Sequence, residues 1–459
     1  MEQTTAKKNK YEIDMCNGTI MDKLISFSLP LMLSGILQLM FNAVDIIVVG
    51  RFSGSQALAA VGSTSALINV FTNLFIGISL GANVLTARFY AAGREKEVSE
   101  TVHTAITLAL VSGIIMALVG LVFSKGALAL MGTPDDVIGL SALYMRIYFL
   151  GMPFFMLYNY GAAILRAVGD TKRPLLFLMI AGVINACLNM VLVIVFKLGV
   201  AGVAIATVIS QMISCVLVLR CLCRSESSYR LRFSELGMKG YYLKQIFSVG
   251  VPAGIQSTVI NFSNVLLQSS VNSFGSTAMA GYTAANNLLG FLYVSITQAC
   301  MSFTSQNYGV GKLKRMDRVL ADCMILSVVV AVVLGCICYG FGPEILQIYT
   351  EDAEVIACGM EILAYTTITY FLCGWMDLFP GALRGMGYSA VPMVLSVIGT
   401  VGTRVVWIFG IFPYHRSLAI LFISYPASWI ITIVLQVICF YFVRRRVHRR
   451  SQALAGQEA

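Results

Sequence analysis

The chain has 459 residues, 58% of them hydrophobic and only 12% charged, about half the charged share of an ordinary soluble domain. At a mean hydropathy of +0.81 it lacks the polar surface a soluble protein of this length needs. Its solvent is therefore a bilayer, in which backbone groups must be satisfied within helices or a closed barrel. The formal charge of +10 raises nucleic acid or a membrane as partner, and only its distribution decides between them.

The apolar runs are continuous and about 20 residues long, the length that crosses a hydrocarbon core of ~30 Å. Barrel strands would instead alternate over short segments. Residues 1–24 are polar and mixed in charge, and the first apolar run is too long for a signal peptide, so an uncleaved first span is expected. Twelve spans are predicted in chain order, beginning near Leu29, Leu58, Thr101, Ile138, Leu175, Ala201, Gln245, Ala278, Val319, Val355, Val391 and Leu418. The longest polar stretch between spans, Arg220 to Lys244, separates the sixth from the seventh.

The chain also repeats itself. At an offset of 218 residues Leu165 pairs with Leu383, Arg166 with Arg384, Gly169 with Gly387 and Pro174 with Pro392. The same offset pairs Thr86 with Thr304, Tyr90 with Tyr308, Gly93 with Gly311 and Lys96 with Lys314. Near the start it drifts to 221 or 222, pairing Pro30 with Pro252 and Asn42 with Asn264. Similar hydrophobicity does not explain matches at Arg, Lys, Gly and Pro in loops. The expected fold is an all-α membrane protein of 12 transmembrane helices in two pseudo-symmetric six-helix lobes. Six spans per half is an even number, so the repeat is parallel. The expected parts are an N-terminal lobe (1–222), a cytoplasmic linker (223–244), a C-terminal lobe (245–443) and a basic cytoplasmic tail (444–459).

With the N-terminus in the cytoplasm, 26 Lys and Arg fall inside and only four (Arg51, Lys125, Lys197 and Arg416) outside. The basic balance is thus a topology signal: both termini are expected in the cytoplasm of a plasma (inner) membrane protein, its tail anchored at the lipid surface. No nucleic-acid partner is needed. Of the 12 cysteines, those within apolar runs read as inert buried thiols. His103, His415 and His448 have no ligand-like spacing, so no metal site is expected beyond a sodium ion at Asp45, discussed below. Gly309-Val-Gly-Lys312 lacks the remaining Walker residues. Without a nucleotide site or another cofactor, the energy source is expected to be an ion gradient.

Four segments carry a family likeness: Pro30 through Asp45-Ile-Ile-Val-Val-Gly50, Gly81 to Tyr90, Ile164-Leu-Arg-Ala-Val-Gly-Asp-Thr-Lys-Arg-Pro174 with its echo at Ala382 to Gly387, and Gly202 to Thr207. In these the chain resembles the MATE (multidrug and toxic compound extrusion) family over nearly its whole length. The resemblance implies two six-helix lobes, export of cationic or aromatic drug-like compounds, and exchange for protons or sodium. It implies a transporter rather than an enzyme, and a monomer is expected. A lipid-linked oligosaccharide flippase of the wider superfamily is the alternative, but such proteins often line their cavity with several cations. Here only Arg146 and Arg404 lie within spans.

Ionisable residues at membrane depth point to function. Asp45 lies fifteen residues after Pro30, about 22 Å along the first helix, and there needs a cation, a proton or hydrogen-bond donors. Asn185 and Asn189 share one face of the fifth span. Asn189 and Thr207 of the sixth reach a depth similar to that of Asp45. Carboxylate, amide and hydroxyl oxygens suit a hard cation or a proton, and the alternative for the Asn pair is interhelical hydrogen bonding. The resemblance agrees, because one branch of the family places a first-helix Asp beside polar residues of helices five and six. That branch often has a second Asp where this chain has Asn189, which weakens a sodium site.

Asn159 and Asp377 are repeat counterparts, and Asp377 either guides cationic substrate or pairs with Arg384. Asn261 and Asn264 lie on the seventh span, where another branch carries an acid that this chain lacks. Coupling is therefore expected in the first lobe. Pro30 is expected to be a structural residue, and an Arg404–Glu361 bridge is expected to brace the second lobe.

Overall fold

A computed structural model describes residues 11–275, 278, 282, 292–347, 352–367 and 369–455, and among these there is no β-strand. The first five apolar runs and the sixth become α1 (Met21–Phe52), α2 (Ser55–Ala91), α3 (Glu95–Leu130), α4 (Asp135–Leu150) with α5 (Met152–Ala167), α6 (Lys172–Val195) and α7 (Gly199–Cys223). After the linker come α8 (Gly240–Asn272), α9 (Leu292–Gly309), α10 (Leu313–Gly340), α11 (Ala353–Thr367), α12 (Tyr370–Gly385), α13 (Ala390–Ile411) and α14 (Leu418–Ala455). Among the described residues eight helices are long and apolar enough to cross a membrane, and α4 with α5, bent by 48°, makes a ninth if the pair is one span. The bend sits at Gly151, followed by Pro153 near the start of α5, where proline costs no helical hydrogen bond.

Every predicted span start falls in one of these helices except Ala278, whose surroundings lie outside the described residues. The α8 helix reads as less apolar because Gln256, Asn261, Asn264 and Gln268 interrupt it. Polar residues in such a segment imply interior partners, since lipid offers none.

The chain forms two units. The first comprises residues up to Asp14 and Leu29–Gly254, and the second Met15–Ser28 and Ile255–Ala459. Helices α1 and α8 thus each change unit within two residues of Pro30 and Pro252. The first unit's apolar core joins α3, α4, α5 and α7 through Val102, Phe149, Tyr160, Leu165 and Val218, all fully buried. Its α2–α8 seam is set by glycine. A Cβ on Gly81 would stand 2.2 Å from the Ile246 carbonyl oxygen, and one on Gly250 would stand 2.5 Å from Ile78 Cα. Small residues let backbones approach this closely where lipid supplies no hydrophobic drive. The second unit has its own core around Leu267, Phe422 and Trp429.

At its basic end the first unit binds the linker. His103 Nε2 accepts from the Arg232 amide at 3.0 Å while Nδ1 meets the Ser99 carbonyl at 2.7 Å, and Lys239 pairs with Glu100. In the second unit the segment before α1 is held by Arg315, which donates to the carbonyls of Met15, Asn17 and Gly18 at 2.8–3.2 Å.

Candidate functional site

Asp45 is 9% exposed, Asn185 4% and Asn189 fully buried, so three polar side chains of the first unit are withdrawn from lipid. The Asn189 Nδ2 donates to Asp45 Oδ1 and, at 3.1 Å, to Asn185 Oδ1. Thr207 Oγ1 reaches Asp45 Oδ2 at 3.5 Å while also donating to the Val203 carbonyl at 3.0 Å. The four predicted residues therefore meet at one point of α1, α6 and α7. A carboxylate at membrane depth needs donors or a counter-charge. The donors here are neutral, and among the described residues no Lys, Arg or His forms an ion pair with Asp45. Among the described residues the buried Asn189 Oδ1 has no hydrogen-bond partner, which leaves an acceptor oxygen beside the carboxylate.

Local backbone form helps to place this cluster. Directly after Asn189 the helix turns π-helical over Met190–Val195, and such turns are frequent at functional sites. Two tyrosines of α4, Tyr144 and Tyr148, lie within electrostatic reach of Asp45, and Tyr148 lies beside Gln211 of α7. Sequence reasoning did not single out either tyrosine. Their four-residue spacing on the bent span was the available signal.

The second unit gathers a different set. Arg404 is 3% exposed and donates from Nη1 to Asn264 Oδ1 at 2.7 Å and to Ser263 Oγ at 3.3 Å. Its guanidinium lies 4.7 Å from the centroid of the Tyr425 ring, and the Tyr425 hydroxyl bonds that of Tyr282 at 2.7 Å. This corrects the expected Arg404–Glu361 bridge. Glu361 is exposed, and the Arg404 contacts run to α8 and α14.

The remaining predicted residues are dispersed. Asn159 returns its Nδ2 to the Phe155 carbonyl at 2.8 Å, one turn back on α5. Asp377, half-buried, lies within electrostatic reach of Arg384. The Arg384 guanidinium bonds Gln256 at 2.7 Å. Asn261 is exposed, and Pro30 is buried inside α1. Among the described residues no three His, Cys, Asp or Glu side chains cluster to hold a metal ion.

Comparison with known proteins matches this architecture. The MatE family model matches twice, at residues 30–191 and 252–409, once per repeat. The chain is 32% identical to the probable multidrug resistance protein YoeA of Bacillus subtilis, over 92% of this chain and 93% of that one. It is 22% identical to the multidrug export protein MepA of Staphylococcus aureus, over 82% and 84%. Among solved structures it superposes on an outward-facing multidrug resistance MATE transporter with a TM-score of 0.86 at 19% identity, covering 97% of this chain and all of that one. A MATE protein in a bent conformation gives 0.83 at 19% identity, over 94% and 96%. The repeat, the twice-matched family model and the near-complete likeness to YoeA place the chain in the MATE (multidrug and toxic compound extrusion) family of membrane transporters.

Proposed function

We propose that this protein is a secondary active antiporter that exports cationic or aromatic small molecules in exchange for protons or sodium. The observation that carries the proposal is Asp45, a buried carboxylate with neutral donors and no ion-pair partner among the described residues. A carboxylate so placed can exchange a proton or a cation without first breaking a permanent salt bridge. When Asp45 is ionised, Asn189 Nδ2 and Thr207 Oγ1 donate to it. When a proton is loaded, rotation of the Asn189 amide presents Oδ1 to accept the new O–H. For sodium, Asp45, Asn185, Asn189 and Thr207 offer only hard oxygen ligands. Loading changes the hydrogen bonds joining α1, α6 and α7, and so biases the equilibrium between two conformations.

In this reading the two lobes, residues 1–222 and 245–443, alternate access to the two sides of the plasma membrane, with Pro30 as the bend in α1. Both termini lie in the cytoplasm, and the basic tail rests on lipid. The protein acts as a monomer without a cofactor. Asp377 and the Asn159 and Asn261 amides serve cationic substrate on its path, whereas Asn264, expected beside them, accepts instead from Arg404. The family match does not favour lipid-linked oligosaccharide flipping.

The test is transport in proteoliposomes under separately imposed sodium and proton gradients. Wild-type protein is expected to export a cationic dye such as ethidium under one of them. Asp45→Asn should abolish gradient-driven export while the purified variant still runs as a folded, monodisperse species. Undiminished export by that variant would overturn the proposal.

A further inference from the structure

The repeat offset carries Thr207 of the first unit onto Tyr425 of the second, and Asn189 onto Trp407, one turn from Arg404. The first helices of the halves correspond at 221 or 222 residues, which sets Ser263 and Asn264 opposite the Phe41–Asn42 region of α1. Arg404 with Ser263, Asn264 and Tyr425 is therefore the second unit's version of the Asp45 cluster, built on the equivalent three helices with a cation in place of an anion.

A guanidinium buried to this degree is costly. Desolvation of such an ion amounts to several kcal/mol unless a counter-charge offsets it, and at membrane depth its default reading is functional. Among the described residues no carboxylate forms an ion pair with Arg404. The groups within its electrostatic reach are Tyr425, Cys373 and Tyr282. Both of its hydrogen bonds leave from Nη1, and among the described residues the buried Nε has no partner. The guanidinium edge that contains Nε is one of those that bind a carboxylate through two parallel N–H···O bonds. The Tyr425 ring lies against the same cation, so an aromatic surface and an anion receptor adjoin.

We propose that Arg404 is the anchor of an anion-binding subsite in the second unit, which takes the carboxylate of an aromatic acid or zwitterion. The Asn264 and Ser263 oxygens hold the guanidinium in place through Nη1, while the ligand carboxylate supplies the missing negative charge at the Nε edge. The aromatic body of the ligand packs beside Tyr425.

Trp407 lies one turn from Arg404, and the Trp429 ring centroid is 5.7 Å from that of Tyr425, so tryptophan fluorescence is a local reporter. The experiment titrates purified protein with three ring-matched probes: 1-naphthoate, neutral 1-naphthamide and 1-naphthylmethylammonium. Wild-type protein is expected to bind the carboxylate at least tenfold more tightly than the amide. Arg404→Gln should erase that preference, and Arg404→Lys, a point charge without the planar fork, should restore part of it. Equal binding of carboxylate and amide by wild-type protein, a comparison that needs no variant, would overturn the proposal, as would a preference that survives in folded Arg404→Gln. Asp45→Asn should keep the carboxylate preference, so failure of the ion-coupling reading leaves this one separately decided.

Discussion

The first unit buries a carboxylate, Asp45, where its first, fifth and sixth helices meet, and the second buries a guanidinium, Arg404, at the equivalent meeting point. Each charge is surrounded by neutral groups of the complementary kind. Asp45 receives an amide Nδ2 and a hydroxyl, whereas Arg404 is given an amide Oδ1, a serine oxygen and the face of a tyrosine. The inversion recurs where the third helix of each half begins. At the same offset Glu97 and Glu100 of α3 stand opposite Arg315 and Arg318 of α10, while Lys96 and Lys314 keep their sign. Helix packing fixes the repeat through Gly, Pro and apolar shape, which do not depend on charge. The sign of a buried group is free to diverge provided its hydrogen-bond partners change with it.

The largest expected effect breaks one cluster and spares the other. Asn189→Leu removes the principal donor to a buried carboxylate. Hydrogen bonds to charged groups contribute about 1.5–3 kcal/mol, so a loss of ~2 kcal/mol is expected in unfolding of the purified protein. The double variant Asp45→Leu/Asn189→Leu should recover most of that loss, because it removes both partners rather than stranding one. A double variant no more stable than Asn189→Leu would show that the amide acts through packing and not through the carboxylate.

An effect of similar size sharpens the packing side of the comparison. A methyl added at Gly81 meets the Ile246 carbonyl oxygen at 2.2 Å, and backbone cannot yield cheaply. At Gly381 of the second unit the nearest atom is the Thr297 side-chain methyl at 2.9 Å, and the repeat counterpart of Gly381 is already alanine, Ala163. Gly81→Ala is therefore expected to cost ~2 kcal/mol and Gly381→Ala ~1 kcal/mol or less, within the range for overpacking. Thermal unfolding of the two single variants in one detergent checks the order. Equal costs would mean that the seam in the first unit relaxes as easily as the one in the second.

Much of this was legible in the sequence. Apolar run length gave helices, loop residues gave the repeat, and 1.5 Å per residue brought Asp45, Asn189 and Thr207 to a similar depth. Depth alone failed for Arg404 and Glu361, because a shared depth does not fix the direction in which a side chain points. Arg404 lies between π-helical stretches at Val397–Gly402 and Trp407–Ile411. Each wider turn shifts the following residues around the helix axis, so a 3.6-residue wheel misassigns their faces. The repeat held the better signal, since it sets Tyr425 opposite Thr207 and so points Arg404 toward α8 and α14. The bend of α4 against α5 was legible only as Gly151 and Pro153, residues that permit a kink without specifying its angle.

The smallest effects concern the segments that lead into α1 and α8, where the inverted charges meet different partners. Arg315 donates to three backbone carbonyls of residues 15–18, so Arg315→Gln should cost ~1 kcal/mol. Glu100 meets a single lysine, Lys239, whose side chain is 59% exposed, and solvent screens such pairs to about 0.5 kcal/mol. The Lys239 ammonium holds the Glu100 carboxyl below its ordinary range. A carboxyl lowered on folding contributes stability that is present above its unfolded pKa, about 4.3, and that fades as pH falls through the lower folded value. Glu100→Gln should thus destabilise slightly at neutral pH and not at all in strong acid or in ~1 M salt, where the Debye length shrinks to about 3 Å. A cost as large as that of Arg315→Gln, or one indifferent to salt, would mean that the Tyr242 hydroxyl, also within reach of Glu100, rather than Lys239 dominates the contact, and that the two entry segments are fastened alike.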